Sequence, residues 1–273
     1  MSNDKLQQIR EDLERSRSWL SQVQTSFNQD NSSTKQILES SIEIISVHVP
    51  KTAGTLFRDI LHQVYGEDQV FFDNYQLIPF MWAEAPLESI KPKHKVIHGH
   101  LAVSKYNGYY PQAKRITWLR NPILRLISNY YFLWSTPEVW PIEFVKNIID
   151  NQMSIYQFIE IPETQNYSSK FYCQGMKLED FYFVGIQEFF EDDLKELRAL
   201  LNLPEIKLGK KVNENKYSNY AESVKELLSD TNLIKKIVSL NREDMEQYQL
   251  AFELRAKRIN YPVFPGYSFK IDF

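Results

Sequence analysis

Three short segments carry the residue types that handle anions and protons. The first is VHVPKTAGTLFR, residues 47–58. An apolar run enters Pro50, and the compact loop that follows opens a helix near Thr55. The first turn of a helix has unpaired backbone N–H groups and a partial positive charge, so it receives anions. Gly54 lets a ligand come close to the backbone. Thr52 and Thr55 add hydroxyl donors, and Lys51 adds a mobile point charge. The segment reads as a phosphate cradle. It is not the nucleoside-triphosphatase loop G-x-x-x-x-G-K-[ST], because here the lysine precedes the glycine.

The second segment is RITWLRNPILRLISNYYF, residues 115–132. A strand ends at Arg120, Asn121 and Pro122 make the turn, and a helix follows. Arg120 then stands at a strand's carboxyl end, where open α/β sheets bind ligands. Its planar fork suits a phosphate monoester, and Ser128 lies on the helix beyond it, on the side that Arg125 shares. The third segment is KVIHGHL, residues 95–101. A two-residue period aims His98 and His100 at one face and leaves Gly99 to make room on the other. An imidazole is the side chain best suited to take a proton near neutral pH. Taken singly, the first segment also fits a strand–helix turn with a solvated lysine, the second an Arg paired with a nearby carboxylate, and a lone strand histidine a structural role. Two phosphate-type sites at two strand ends suit a nucleotide with phosphates at both ends of its ribose.

The pair PKTAGT and R-x-P-x-x-R-x-x-S resembles the two PAPS-binding signatures of the sulfotransferases, PAPS being 3′-phosphoadenosine 5′-phosphosulfate. The likeness is nearest to the branch that includes the carbohydrate 2-O-sulfotransferases. It implies that Lys51, Thr52, Ala53, Gly54 and Thr55 hold the 5′-phosphosulfate and that Arg120 and Ser128 hold the 3′-phosphate. That branch has a His-Gly-His with the second histidine as base, which makes His100 the base and His98 its auxiliary. Lys51 would meet the charge on the leaving oxygen, with no metal required. The likeness continues thinly through FVGIQEFFEDDLKELRALLNL and reaches KVNENKY, residues 211–217, which resembles the family's late loop near the nucleotide and brings in Lys216. Two departures stand out: Leu56 replaces a second hydroxyl after the first motif, and a Gly-rich late loop is absent.

The elements that must position these residues follow from periodicity. Apolar runs predict strands over Glu43–Val49, Gln69–Phe72, Lys95–Leu101, Arg115–Leu119 and Phe181–Gly185. Helical spacing covers Thr55–Tyr65, Pro122–Trp134, Glu143–Glu160, Thr164–Gln174, Phe189–Leu201 and Tyr220–Ile259. Alternating strands and helices predict an α/β fold: a P-loop-like three-layer sandwich with a central parallel sheet and a helical lobe. The expected organisation is a helical extension over residues 1–40 and one domain over residues 41–273. Leu6, Ile9, Leu13, Leu20, Val23 and Phe27 make an apolar stripe on a helix over residues 4–28, a candidate seam for docking or for a homodimer. His48 reads as a hydrogen-bonded core residue, and Glu188, Glu191, Asp192 and Asp193 as a solvated helix start. Trp134, Trp140, Tyr130 and Tyr131 fit an acceptor pocket or the core equally.

Composition limits the partners. The 273 residues are 43% hydrophobic and 25% charged, as in a globular chain, and the net charge of −3 offers no basic field for nucleic acid. The single cysteine, Cys173, forms no intrachain disulfide. No apolar stretch approaches the roughly 18 residues of a membrane span. The expectation is a soluble, cytoplasmic enzyme acting on a hydroxyl of a sugar, glycan or small metabolite. Two other readings stay open: a phosphoryl-transfer enzyme on a similar fold, which needs a strand-end Asp for magnesium, and a non-catalytic nucleotide-binding module.

Overall fold

Short runs rich in Ile, Val and Phe, bounded by polar turns, pair into one parallel sheet. In the computed structural model, which describes residues 42–73, 76–78, 81–82, 87–135, 152–207 and 217–259, five strands stand in the order β2-β5-β1-β6-β7. They are β1 (Ile44–Val47), β2 (Val70–Asp73), β5 (Val96–Gly99), β6 (Lys114–Leu119) and β7 (Phe183–Ile186). A two-stranded antiparallel hairpin, β3 (Gln76–Ile78) and β4 (Met81–Trp82), was not foreseen from sequence.

Both faces of the sheet are buried, because successive residues of each strand feed opposite cores. On one face Ile44, Val96, Ile116, Trp118 and Phe183 pack on Phe57, Ile60 and Leu61 of α1 (Gly54–Tyr65). Phe190, Leu194 and Leu197 of α5 (Phe190–Leu201) complete that layer. On the other face Ile45, Val47, Ile97, Leu119, Val184 and Ile186 meet Ile123, Leu126 and Ile127 of α2 (Pro122–Ser135). Each such fully buried side chain contributes roughly 1.5–3 kcal/mol. Gly185 is glycine because the Trp118 ring lies where its Cβ would stand. The expected three-layer α/β arrangement with a central parallel sheet is therefore the one that forms.

The helical lobe departs from the sequence reading. The helix expected over Glu143–Glu160 is, in its described part, a single turn, α3 (Ile155–Phe158), started by a capping box between Ser154 and Gln157. Thr164–Gln174 shortens to α4 (Tyr167–Phe171), since Asn166 before it is left-handed (φ 49°). The long helix Tyr220–Ile259 is three: α6 (Tyr220–Ser229), α7 (Thr231–Leu240) and α8 (Arg242–Arg258). Asp230 makes the first break by accepting hydrogen bonds from the backbone N–H groups of Asn232 and Leu233. At the second, α4 and α8 cap each other. The Asn166 side-chain carbonyl accepts from the N–H groups of Glu243 and Asp244, while Asp244 accepts from those of Ser168 and Ser169.

Asp193, read as part of a solvated helix start, is wholly buried. Its carboxylate accepts from the Ile186 N–H at 2.8 Å and from Arg255 at 2.6 Å, tying the end of β7 to α8. The expected helix over residues 4–28 and the extension 1–40 lie outside the described residues.

Candidate active site

All five strands run parallel, so their carboxyl ends share one edge. The chain leaves β1 toward β5 and β2 on one side and later returns to β6 on the other, which makes the β1–β6 junction a topological switch point. Ser46 lies opposite His98 on one neighbour and Ile116 on the other. The two-residue period then carries His48, His100 and Arg120 to one face of three adjacent strands. That is the face α1 covers lower down. The helix begins only at Gly54, so beside these three residues stands the loop 48–53 that connects β1 to it.

The histidines form a stack. The His48 ring lies 4.1 Å from His100 and 5.2 Å from His98, with interplanar angles of 24° and 22°. Phe72 of β2 continues the column, 5.9 Å from His98. His98 is 1% exposed, and its Nδ1 shares a 2.9 Å hydrogen bond with the Ser46 hydroxyl. His100 Nδ1 lies 2.7 Å from the His48 carbonyl oxygen. A carbonyl only accepts, so Nδ1 carries the proton and donates, which makes Nε2 the basic nitrogen of neutral His100. Burial first, then the neighbouring imidazole of His100 and the Arg58 guanidinium, push His98 down to about 3. Burial takes His100 down to about 4 against the pull of its bond to His48. His48 falls well below the usual imidazole value through burial and then its two neighbours. At neutral pH all three rings are uncharged.

Two glycines are required by close packing. At Gly54, read as letting a ligand approach the backbone, a Cβ would strike the His48 ring. Gly99 was read as leaving space on the far side of the strand, but the Asp73 backbone fills it. Gly54→Ala should therefore displace His48 and lower stability by about 1–3 kcal/mol, the usual range for overpacking. Urea unfolding of the variant checks this.

The loop is shaped by two left-handed residues, Lys51 (φ 68°) and Ala53 (φ 65°). Non-glycine residues in that region cost about 1–3 kcal/mol each and gather where a backbone is preset for a ligand. Successive N–H groups in such turns make an anion-binding concavity. The Thr52 hydroxyl, expected as a phosphate donor, is buried and donates to the Val49 carbonyl at 2.7 Å. Any contact of Thr52 with an anion thus falls to its backbone N–H. Thr55 stays partly accessible in the first turn of α1.

The two expected phosphate sites adjoin. Arg120 Nη1 donates to the Lys51 carbonyl at 3.2 Å, and Lys51 Nζ sits 3.8 Å above the Phe132 ring on α2. Ser128, buried, lies one turn before Phe132. Burial and then Arg120 bring Lys51 down to about 8. Asn121 closes the strand–helix turn: its side-chain carbonyl accepts from the N–H groups of Ile123 and Leu124, and its own N–H donates to Glu188. Arg125 is buried and packs over the Tyr167 ring. Tyr131 packs against Tyr217 and Tyr220, and the Tyr130 hydroxyl donates to the Met153 carbonyl.

Lys216 and Trp140 lie outside the described residues. Sequence reasoning undervalued His48 and did not name Phe132. It also passed over Asp73, a strand-end carboxylate 2% exposed that accepts from Lys105 and Tyr106 at 2.7 Å each. Among the described residues no group of three His, Cys, Asp or Glu side chains could hold a metal ion, and no helix is long and apolar enough to cross a membrane.

Compared with known families, the chain matches the sulfotransferase family over residues 35–251, most of its length. The chain belongs to the sulfotransferase family. The match spans both phosphate-type segments and the histidine strand of this sulfotransferase. Among solved structures it is similar to mouse sulfotransferase SULT7A1 complexed with PAP, at 14% identity over 81% of this chain and 84% of that one, with a TM-score of 0.34. A sulfotransferase from Alicyclobacillus acidocaldarius is similar at 13% identity over 72% of this chain and 95% of that one, also with a TM-score of 0.34. No curated protein matches the chain.

Proposed function

We propose that this sulfotransferase moves a sulfuryl group from PAPS to an acceptor hydroxyl, that of a sugar or glycan in first place. The supporting observation is the bond from Arg120 to the Lys51 carbonyl, beside a neutral His100. Two cations are held next to each other, and neither has a carboxylate partner among the described residues. Buried or half-buried charge is normally paired, so the edge fits a ligand rich in phosphate.

In this reading the backbone of Thr52, Ala53, Gly54 and Thr55 receives the 5′-phosphosulfate, with the Thr55 hydroxyl beside it. Arg120 and Ser128 receive the 3′-phosphate, and Lys216 closes over the nucleotide. His100 Nε2 takes the acceptor's proton as the new sulfur–oxygen bond forms. Lys51 meets the negative charge left on the 5′-phosphate oxygen when the old bond breaks. His98 does not act on the acceptor; it stacks on His48, which stacks on His100. The magnesium-dependent alternative would use Asp73, but that carboxylate is engaged by Lys105 and Tyr106 on a strand two places from β1. Sugar specificity rests on the His-Gly-His likeness alone.

Incubating the protein with 35S-labelled PAPS and a panel of sugars, tyrosyl peptides and phenols tests the acceptor class. Label on sugars supports the reading, whereas label confined to peptides or phenols removes the sugar. The pH dependence of kcat/KM should be bell-shaped, because it follows the free enzyme. Rate falls below about pH 4, where His100 takes up a proton, and above about pH 8, where Lys51 loses one. Lys51→Arg should move the alkaline limb beyond about pH 10, since a guanidinium stays charged.

A further inference from the structure

His48 is given no chemical step above, yet it touches both other histidines and the start of α1. One ring face lies 4.1 Å from His100, and the stack continues to His98 at 5.2 Å. Its carbonyl accepts the proton-bearing Nδ1 of His100 at 2.7 Å. Its ring occupies the space that a side chain at Gly54 would need. Its Nδ1 is buried and has no hydrogen-bond partner among the described residues. No hydrogen bond from Nδ1 therefore holds the ring; its faces place it. His48 also begins the connection that runs into Lys51, so it links the base to the phosphate loop.

We propose that His48 is a positioning residue for the base: its ring face fixes the plane of His100 and its carbonyl fixes the tautomer, so that Nε2 is presented to the acceptor hydroxyl. This rests on the reading of His100 as the base. Without the ring, His100 can turn about χ1 and χ2, lose its bond to the His48 carbonyl and present either nitrogen. A displacement of about 1 Å at a reacting group can cost roughly 100-fold in rate. The charged and titratable groups around the stack are His98 on β5, Arg58 and His62 on α1, Lys51 in the loop and Tyr172 after α4, whose ring lies 6.3 Å from His100. Burial is the first cause that keeps the imidazoles neutral, with the neighbouring rings and the cations adding to it at His48 and His98.

The test pairs kinetics with imidazole nitrogen NMR of 15N-histidine-labelled full-length protein. In the wild type, His100 should be the Nδ1–H tautomer and stay neutral at pH 6. His48→Ala should give a mixture of tautomers and raise the His100 pKa toward the ordinary imidazole value. Its kcat should fall about 10- to 100-fold, with PAP affinity within about threefold of wild type. His48→Phe, which keeps a ring in the stack, should restore the tautomer and most of kcat. If His48→Ala fails to fold, His48→Asn serves for the same readings. An unchanged His100 tautomer and titration in the variant would overturn the proposal, as would a loss of PAP affinity equal to the loss of kcat. If the NMR changes occur but no wild-type turnover with PAPS is found, the placement of His100 by His48 stands and the sulfuryl-transfer reading fails alone.

Discussion

His100→Ala lowers kcat by about 10²–10⁴-fold, the span of a positioned general base, while PAP affinity stays within about twofold. The asymmetry follows from the geometry. His100 follows β5 and meets the loop at the His48 ring and carbonyl, whereas the cations for the nucleotide come from the loop after β1 and from the end of β6. Removing the imidazole leaves Lys51 over Phe132 and Arg120 on the Lys51 carbonyl. The acceptor hydroxyl must then lose its proton to water, and only the chemical step suffers. Single-turnover rates with labelled PAPS, beside calorimetric titration with PAP, separate the two quantities. Equal losses in both would mean that His100 holds the nucleotide and that the base lies elsewhere.

Acid should unfold this protein early. His98 and His100 are held at about 3 and about 4 in the folded chain, against about 6.5 when unfolded. Because the folded values are lowered, the unfolded chain takes up protons first as pH falls. Stability is complete above about pH 6.5 and is lost progressively through the window down to the folded values. Each fully buried histidine contributes a slope of up to about 1.4 kcal/mol per pH unit. His98, 1% exposed, gives nearly all of that, and the more accessible His100 gives less. Against a total stability of about 5–15 kcal/mol, this is a large share by pH 5. Urea midpoints at pH 7, 6 and 5 measure it. His98→Asn, which keeps a polar partner for Ser46 but does not titrate, should flatten the slope. Midpoints that do not change between pH 7 and pH 5 would refute the buried neutral stack.

The sheet was legible in sequence because its strands are buried on both faces and so read as continuous β-branched and aromatic runs. β1, β5, β6 and β7 fall where those runs lie, with ends moved by one or two residues. The helices α1 and α2 were legible for a different reason: Leu56, Ile60, Leu61 and Val64 fall at helical spacing, and Pro122 marks a helix start. The Tyr220–Ile259 segment was read through its own punctuation, although Asp230 and Asn241 are residues that cap helices. The third dimension of the site was hidden. His48 looks like a core residue as long as its strand stands alone. Only the register that sets Ser46 opposite His98 shows that His48 meets His100. For the same reason the packing of the His48 ring where a Cβ at Gly54 would stand was not visible, and Thr52 was credited with a hydroxyl that the loop already uses. Asp193 was mistaken for a surface residue because its partners, Ile186 and Arg255, are distant in sequence or on another element.

In the proposed function the loop after β1 and the end of β6 form one site for a nucleotide with phosphates at both ends of its ribose. Isothermal titration of the full-length protein with PAP, beside ATP and with Arg120→Ala as the control, tests it most directly. PAP should bind at micromolar concentration and ATP much more weakly, and Arg120→Ala should lose about 10- to 100-fold, as expected for a charge-assisted contact. Failure to bind PAP, or a preference for ATP with magnesium, would mean that these two segments do not form a PAPS site.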